Sequence, residues 1–152
     1  MLFGKKEKAV PELLQKQNII LDCKAMPKDQ VIEQIGKMLT DSGYVDASYT
    51  NAMKEREKTF ATYMGNGIAL PHGVESAKAA VKNSGIAIMV FPEGTEWSGE
   101  MAKVVIGIAG KGDEHLDILS NVALKLGEDG AVEKFLEMNK DQMYELLTRK
   151  ED

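Results

Sequence analysis

Only two histidines, His72 and His115, occur in this sequence, and both stand where a periodic segment ends or begins. His72 closes the run Ile68-Ala69-Leu70-Pro71-His72-Gly73. The first three residues read as a short buried strand. Pro71 fixes its own φ, removes a donor and keeps Leu70 extended, and Gly73 leaves room for another molecule to approach closely. His72 is thus the first polar side chain after a buried strand, with stiff backbone on one side and free space on the other. That setting suits an imidazole used for chemistry; the plainer reading is a histidine that merely ends an edge strand. His115 falls in the first turn of a helix expected to follow the strand 103–109, with Asp113 at the N-cap. The positive end of a helix disfavours an imidazolium and favours an anion, so a neutral imidazole and the neighbouring backbone N–H groups could meet phosphate oxygens. Sites in open α/β sheets form where strands end and helices begin, and both histidines occupy such junctions.

Arg56 lies at the expected C-terminal end of a helix, in the charged run Lys54-Glu55-Arg56-Glu57-Lys58. An arginine there is usually solvated or bonded to the last carbonyls, and such a run is usually a solvated face. Functionally, its planar fork suits a phosphoryl group. Two histidines and an arginine fit phosphate better than metal. Zinc could in principle use the histidines with Glu75, Asp113 or Glu114, but no His-x-x-His or His-Glu-x-x-His spacing exists, and a nearby arginine would repel a cation. A hydrolase triad is weaker still. No Gly-x-Ser-x-Gly is present, and the single cysteine, Cys23, sits in Ile19-Ile20-Leu21-Asp22-Cys23, which reads as a strand with a buried structural thiol.

The elements that must position these residues alternate. Residues 18–23 read as a strand. Pro27 opens a helix carrying Val31, Ile32, Ile35, Met38 and Leu39, which stops at Gly43. Ser48 caps a second helix through about Lys58. Residues 60–64 alternate as a strand, Gly65-Asn66-Gly67 turns the chain back, and 68–70 is the strand before His72. Residues 75–82 fit a short helix or an irregular loop. The apolar runs 85–91 and 103–109 read as central strands covered on both faces, separated by a turn at Pro92-Glu93-Gly94 and a loop over 95–101 that holds the only tryptophan, Trp97. Leu116, Ile118, Leu119, Val122, Ala123 and Leu126 give the next helix a wide apolar face, and two shorter helices, about 130–138 and 141–149, close the chain. This pattern predicts an α/β fold: a single mixed sheet flanked by helices on both sides. No linker or repeat divides it, so residues 1–152 form one domain, with 1–15 expected to be mobile or weakly packed.

Composition bounds the function. A chain of 152 residues with 43% hydrophobic and 28% charged side chains can bury a core without staples. The net charge of −5 argues against a nucleic-acid partner, which would need a basic face. One cysteine excludes an internal disulfide. No apolar run approaches the length of a membrane span, and the first residues lack the apolar segment of a signal peptide, so the expected compartment is the cytoplasm, without direct membrane insertion.

The run Met53-Lys54-Glu55-Arg56-Glu57, followed by Tyr63-Met64-Gly65-Asn66-Gly67-Ile68-Ala69-Leu70-Pro71-His72-Gly73, resembles the signature of the mannitol/fructose class of enzyme IIA. These are domains of the bacterial phosphoenolpyruvate-dependent sugar phosphotransferase system. Phe91-Pro92-Glu93-Gly94, Val105-Ile106-Gly107-Ile108-Ala109 and Glu114-His115-Leu116 extend the resemblance over about residues 16–149 and point to the mannitol-specific branch. The resemblance implies that His72 accepts a phosphoryl group from phospho-HPr and passes it to a cysteine of a mannitol-type enzyme IIB, on its own or within a membrane IICB permease. It implies that His115 orients or stabilises the phosphoryl group, that Arg56 neutralises its charge, and that neither metal nor bound cofactor is needed. Asn66 stands where some mannitol-type members have glutamate, and no catalytic role is assigned to it. The chain would be a free-standing IIA subunit or a part cut from a larger permease. The alternative is a regulatory binding module of the nitrogen-related type, switched by phosphorylation of His72. Because two partners must reach one histidine, His72 should lie in a shallow exposed depression with an apolar rim, for which Met64, Leu70 and Val74 are candidates.

Overall fold

The computed structural model describes residues 11–149. Its centre is one five-stranded sheet: β1 (Ile19–Ile20), β2 (Tyr63–Gly65), β3 (Ile68–Ala69), β4 (Gly85–Trp97) and β5 (Glu100–Ala109), in the order β1-β4-β5-β3-β2. β4 and β5 pair antiparallel, as do β2 and β3, whereas β1 runs parallel to β4 and β3 parallel to β5. The sheet is therefore mixed: the strands joined by hairpins pair antiparallel, and those joined through longer connections pair parallel.

Both faces are covered, because the central strands are apolar at successive positions. Ala87, Met89, Phe91 and Val105 point to one side and pack with Val31, Ile32, Ile35 and Leu39 of α1 (Lys28–Asp41) and Tyr49 and Met53 of α2 (Tyr49–Thr59). Ile86, Ile88, Val90, Val104, Ile106 and Ile108 point to the other. There they meet Ile118, Val122 and Leu126 of α3 (Glu114–Leu126), Val132 and Phe135 of α4 (Ala131–Leu136), and Met143 and Leu147 of α5 (Lys140–Thr148). The four-residue spacing of the buried α3 side chains makes a narrower stripe than the sequence suggests, and Leu116 is left 56% exposed. α5 begins with a capping box that sequence reading passed over, in which Asn139 and Gln142 each bond the other's backbone N–H.

Four sequence expectations change. The segment 95–101 is not a loop: β4 continues to Trp97 and turns at Ser98-Gly99, both at positive φ, into β5. Pro92 and Gly94 mark an irregularity in the ladder between Val90 and Thr95, which is where a strand tolerates a missing donor. Thr95 and Trp97 are pulled inward by partners far away in sequence: Thr95 Oγ1 donates to the Met26 carbonyl at 2.7 Å, and the Trp97 indole N–H donates to Glu57 at 2.9 Å. Second, the strand expected over 18–23 shrinks to Ile19–Ile20, since Asp22 adopts a positive φ of 57°, and Cys23 is half-buried. Third, the strand expected from Phe60 begins at Tyr63, and Phe60 is 67% exposed. Fourth, the described part of the expected loose segment 1–15, residues 11–15, is anchored at Leu14, while residues 1–10 lie outside the described residues. Leu14 is fully buried, the Leu13 carbonyl accepts from Ile86 N–H at 2.9 Å, and Glu12 accepts from the Tyr144 hydroxyl at 2.6 Å. Leu14→Ala is expected to cost about 2–5 kcal/mol, the range for emptying a buried leucine site, measured as a lower urea midpoint at unchanged slope. A loss below about 0.5 kcal/mol would mean that this segment contributes nothing to the core.

Candidate functional site

β3 delivers His72 to the sheet's end. Its backbone continues the parallel pairing past the strand: Ile108 N–H donates to the Pro71 carbonyl at 2.9 Å, and His72 bridges to Ile108. Tyr49, the first residue of α2, anchors the backbone on the far side of His72. Its buried hydroxyl donates to the Ile108 carbonyl at 2.8 Å and accepts from Gly73 N–H at 2.9 Å. The Tyr49 ring lies so close that a Cβ at Gly73 would come within 2.6 Å of it, so glycine is required here for contact with the protein itself.

The ring of His72 is oriented by its own strand. Nδ1 lies 2.8 Å from the Leu70 carbonyl oxygen. A carbonyl only accepts, so Nδ1 carries the proton in the neutral ring and Nε2 keeps the lone pair. Burial pushes the imidazole below its ordinary pKa of 6.5. The Leu70 hydrogen bond opposes this, the charge of Arg56 and then His115 push further down, and Glu57 pulls weakly up.

β5 delivers the second histidine. After Ala109 the chain passes through Gly110, where a Cβ would sit 2.2 Å from the backbone nitrogen of His115; only glycine lets the start of α3 fold back this tightly. Ser84 braces the turn, accepting from Lys111 N–H at 2.9 Å and donating to Glu114. Asp113 occupies the N-cap position, but its side chain caps no N–H and instead faces Lys78 at 3.4 Å. His72 and His115 line one small depression, together with Tyr49, Gly73, Val74, Lys78, Val81 and Gly110.

Arg56 stands apart from that depression, on the last turn of α2, close enough for its charge to act on His72. Its Nη1 donates to the Phe60 carbonyl at 3.2 Å, and its guanidinium lies 5.6 Å from the centre of the Phe60 ring. Its neighbour Glu57 is buried. That carboxylate accepts from Thr62 N–H at 2.8 Å, from the Thr62 hydroxyl at 2.7 Å and from the Trp97 indole. Sequence reasoning misses both Glu57 and Tyr49. The only signal is an acidic residue on the apolar side of a helix next to Arg56, and nothing marks Tyr49 without knowledge of the packing.

The expected rim is partly wrong. Val74 does line the depression, but Leu70 is buried, and Met64 lies at the far end of the β2–β3 hairpin beside Gly127. Asn66 is at that end too, donating to the Gly127 carbonyl at 3.0 Å. The exposed apolar side chains beside the site residues are Phe60, in contact with Arg56, and Leu116, adjacent in sequence to His115. Among the described residues no three His, Cys, Asp or Glu side chains converge as a metal site would require, and no helix is long and apolar enough to cross a membrane.

Residues 12–150 match the family described as phosphoenolpyruvate-dependent sugar phosphotransferase system, EIIA 2. A mannitol-specific phosphotransferase enzyme IIA component of Staphylococcus aureus is 46% identical over 126 residues, 83% of this chain and 88% of that protein. The component of the same name from Bacillus subtilis is 46% identical over 132 residues, 86% of this chain and 92% of its own. Among solved structures, the Escherichia coli enzyme IIA of mannitol, in complex with phosphorylated enzyme IIB, superposes with a TM-score of 0.82 at 34% identity, covering 89% of this chain and 98% of that one. The chain belongs to the EIIA 2 family of phosphotransferase enzymes.

Two outcomes follow from the geometry. Because burial holds the His72 imidazole below its ordinary pKa of 6.5, its NMR midpoint should lie under that value. Below about 6.5 the unfolded chain binds a proton that the folded chain refuses, so stability falls with pH there, and His72→Gln should flatten that fall. A midpoint at or above 6.5 would contradict the burial. Tyr49→Phe leaves Gly73 N–H and the Ile108 carbonyl without their partner and should cost about 1–3 kcal/mol in urea unfolding.

Proposed function

Taking membership of this family as the premise, we propose that the chain is a cytoplasmic phosphocarrier: it accepts a phosphoryl group from phospho-HPr on His72 and passes it to the cysteine of a mannitol-type enzyme IIB. The single observation that carries the reading is the hydrogen bond from His72 Nδ1 to the Leu70 carbonyl at 2.8 Å. It supports a neutral tautomer with the lone pair on Nε2, which would then be the nucleophile. The Nε2 pair attacks phosphorus and forms an N–P bond as the donor's own P–N bond breaks, its electrons leaving with the donor ring. In the second step a thiolate attacks the same phosphorus, an S–P bond forms, and His72 regains its lone pair. The Nδ1 proton keeps its bond to the Leu70 carbonyl throughout.

Phosphoryl transfer asks the protein chiefly for in-line positioning and charge stabilisation. The depression supplies the first, since His72 is fixed on both sides by Ile108 and Tyr49. The second falls to an N–H of His115, the first turn of α3 and Arg56, all preorganised before a donor arrives. Lowering the pKa of His72 keeps it a nucleophile rather than an imidazolium at the pH of the cytoplasm. Phe60 and Leu116 offer apolar edges that each partner can cover in turn, which suits two transient complexes with small interfaces. Support for mannitol as the sugar comes from the names of the relatives.

Intact-mass measurement after incubation with phosphoenolpyruvate, enzyme I and HPr tests this directly. One acid-labile phosphoryl group is expected, and His72→Ala should abolish it; a label that survives in this variant would sink the assignment. His115→Ala should fold but transfer about a hundredfold more slowly, the scale of losing one preorganised donor. Label that reaches His72 yet never moves to a mannitol-type IIB would favour a regulatory module in which phosphorylation switches affinity for a target.

A further inference from the structure

Glu57 is a buried carboxylate that the proposed chemistry leaves unused. Neutral donors meet it: Thr62 N–H at 2.8 Å and the Trp97 indole N–H at 2.9 Å on one oxygen, the Thr62 hydroxyl at 2.7 Å on the other. Thr62 is thereby held at both its backbone and its side chain. Its carbonyl in turn accepts from Leu70 N–H at 3.0 Å, and the Leu70 carbonyl lies 2.8 Å from His72 Nδ1. A continuous series of contacts thus runs from Trp97 through Glu57, Thr62 and Leu70 to the imidazole. A second branch reaches Arg56. Phe60 lies inside the loop that the Glu57–Thr62 bonds close. Its N–H donates to the Arg56 carbonyl at 3.2 Å, and its own carbonyl accepts from Arg56 Nη1 at 3.2 Å. The Phe60 side chain is exposed, so burial of Phe60 does not fix that carbonyl. The nearest pinned point along the chain is Thr62.

We propose that Glu57 is the positioning residue for both Arg56 and His72: its hydrogen bonds fix Thr62, and Thr62 sets the Phe60 and Leu70 carbonyls to which the guanidinium and the imidazole are bound. The proposal deepens the phosphocarrier reading above and rests on it. In-line transfer needs the nucleophile and the cation in a fixed relation, and a misplacement of about 1 Å can cost about a hundredfold in rate. A carboxylate suits this node. It accepts on both oxygens, and bonds to an ionised acceptor are shorter and stronger than neutral ones. Burial keeps water from competing for the same donors. Glu57 touches no reacting atom and exchanges no proton; it acts through the two carbonyls.

The test compares the wild-type chain, Glu57→Ala and Glu57→Gln. Two quantities are read: the tautomer of the neutral His72 ring, from its nitrogen NMR signals, and the initial rate of labelling with phosphoenolpyruvate, enzyme I and HPr. Wild-type His72 should carry its proton on Nδ1 alone. Glu57→Ala should let the proton exchange between both ring nitrogens, as Leu70 loosens, and should slow labelling about tenfold to a hundredfold. Glu57→Gln should restore both readings, because its amide oxygen can accept from Thr62 N–H and Trp97 while its NH₂ donates to the Thr62 hydroxyl. Either reading unchanged in a folded Glu57→Ala protein would overturn the proposal. So would a Glu57→Gln protein as impaired as Glu57→Ala, which would assign the effect to the lost charge. Should Glu57→Ala not fold, Thr62→Val removes one of the three bonds at nearly constant volume. It should move both readings the same way by less, and a Thr62→Val protein identical to the wild type in both would overturn the proposal. A wild type that takes no label would overturn the phosphocarrier reading, and the tautomers would still decide whether Glu57 orients His72.

Discussion

The proposed chemistry needs one ring nitrogen of His72 occupied and the other left with its lone pair, and that orientation rests on the register of a single parallel bridge between His72 and Ile108. The bridge is set by β3 lying against β5, with Ile68 opposite Val104 and Ala69 opposite Val105. A slip of one residue would turn the next side chain to the other face and send the imidazole into the core. The chain guards against it with groups that are not part of the strands. Ile108 N–H reaches the Pro71 carbonyl, and the Ile108 carbonyl and Gly73 N–H share the hydroxyl of Tyr49. Burial keeps that phenol neutral, its pKa raised, so it can donate and accept at once.

A second buried group does for Arg56 what Tyr49 does for His72. Glu57 is only 5% exposed, and a carboxylate in that position is costly unless it is hydrogen-bonded. Thr62 meets it with both backbone N–H and hydroxyl, and Trp97 with its indole N–H. These bonds tie the end of α2 to the chain entering β2 and to the β4–β5 hairpin. The Phe60 carbonyl, which holds Arg56, lies between the two tied points. Arg56 and His72 therefore sit on opposite ends of one short segment, residues 56–72, whose course is fixed by Glu57 at one end and Tyr49 at the other. The same carboxylate weakly supports protonation of His72 while Arg56 opposes it more strongly.

What was legible in the sequence was local. The apolar continuity of 85–91 and 103–109 gave the central strands, the spacing in 31–39 gave α1, and Pro71-His72-Gly73 gave the rigid end on which the candidate nucleophile sits. His115 could be placed at the start of a helix because Asp113 and the following leucines mark one. What was not legible depended on partners distant in sequence. Thr95 and Trp97 lie beside a proline and two glycines and read as loop, yet Met26 and Glu57 hold them in a strand. The rim misled for the same reason: Leu70 and Met64 are near His72 along the chain, but the first faces the core and the second faces the end of α3. Around Leu14 the charged and polar residues suggest a loose segment, yet they bond to Tyr44, Tyr144 and Asp141 instead of to water alone.

The depression is small, and that shapes how the proposed chemistry must run. His72 and His115 are each only partly buried, so the free site is wet, and water both weakens every charge interaction there and competes for a phosphoryl group. A donor or acceptor that covers Phe60 on one side and Leu116 on the other would close the opening with its own apolar surface. On that reading the dielectric would fall only in the complex, so Arg56 and the start of α3 would act most strongly with a partner in place. In the proposed chemistry, a phosphorylated His72 without a partner would sit in a site that stabilises it less than either transfer complex would. An exposed, briefly covered site of this kind suits a group carrier, because a deep pocket would hold the phosphoryl group tightly and slow its release to the next protein.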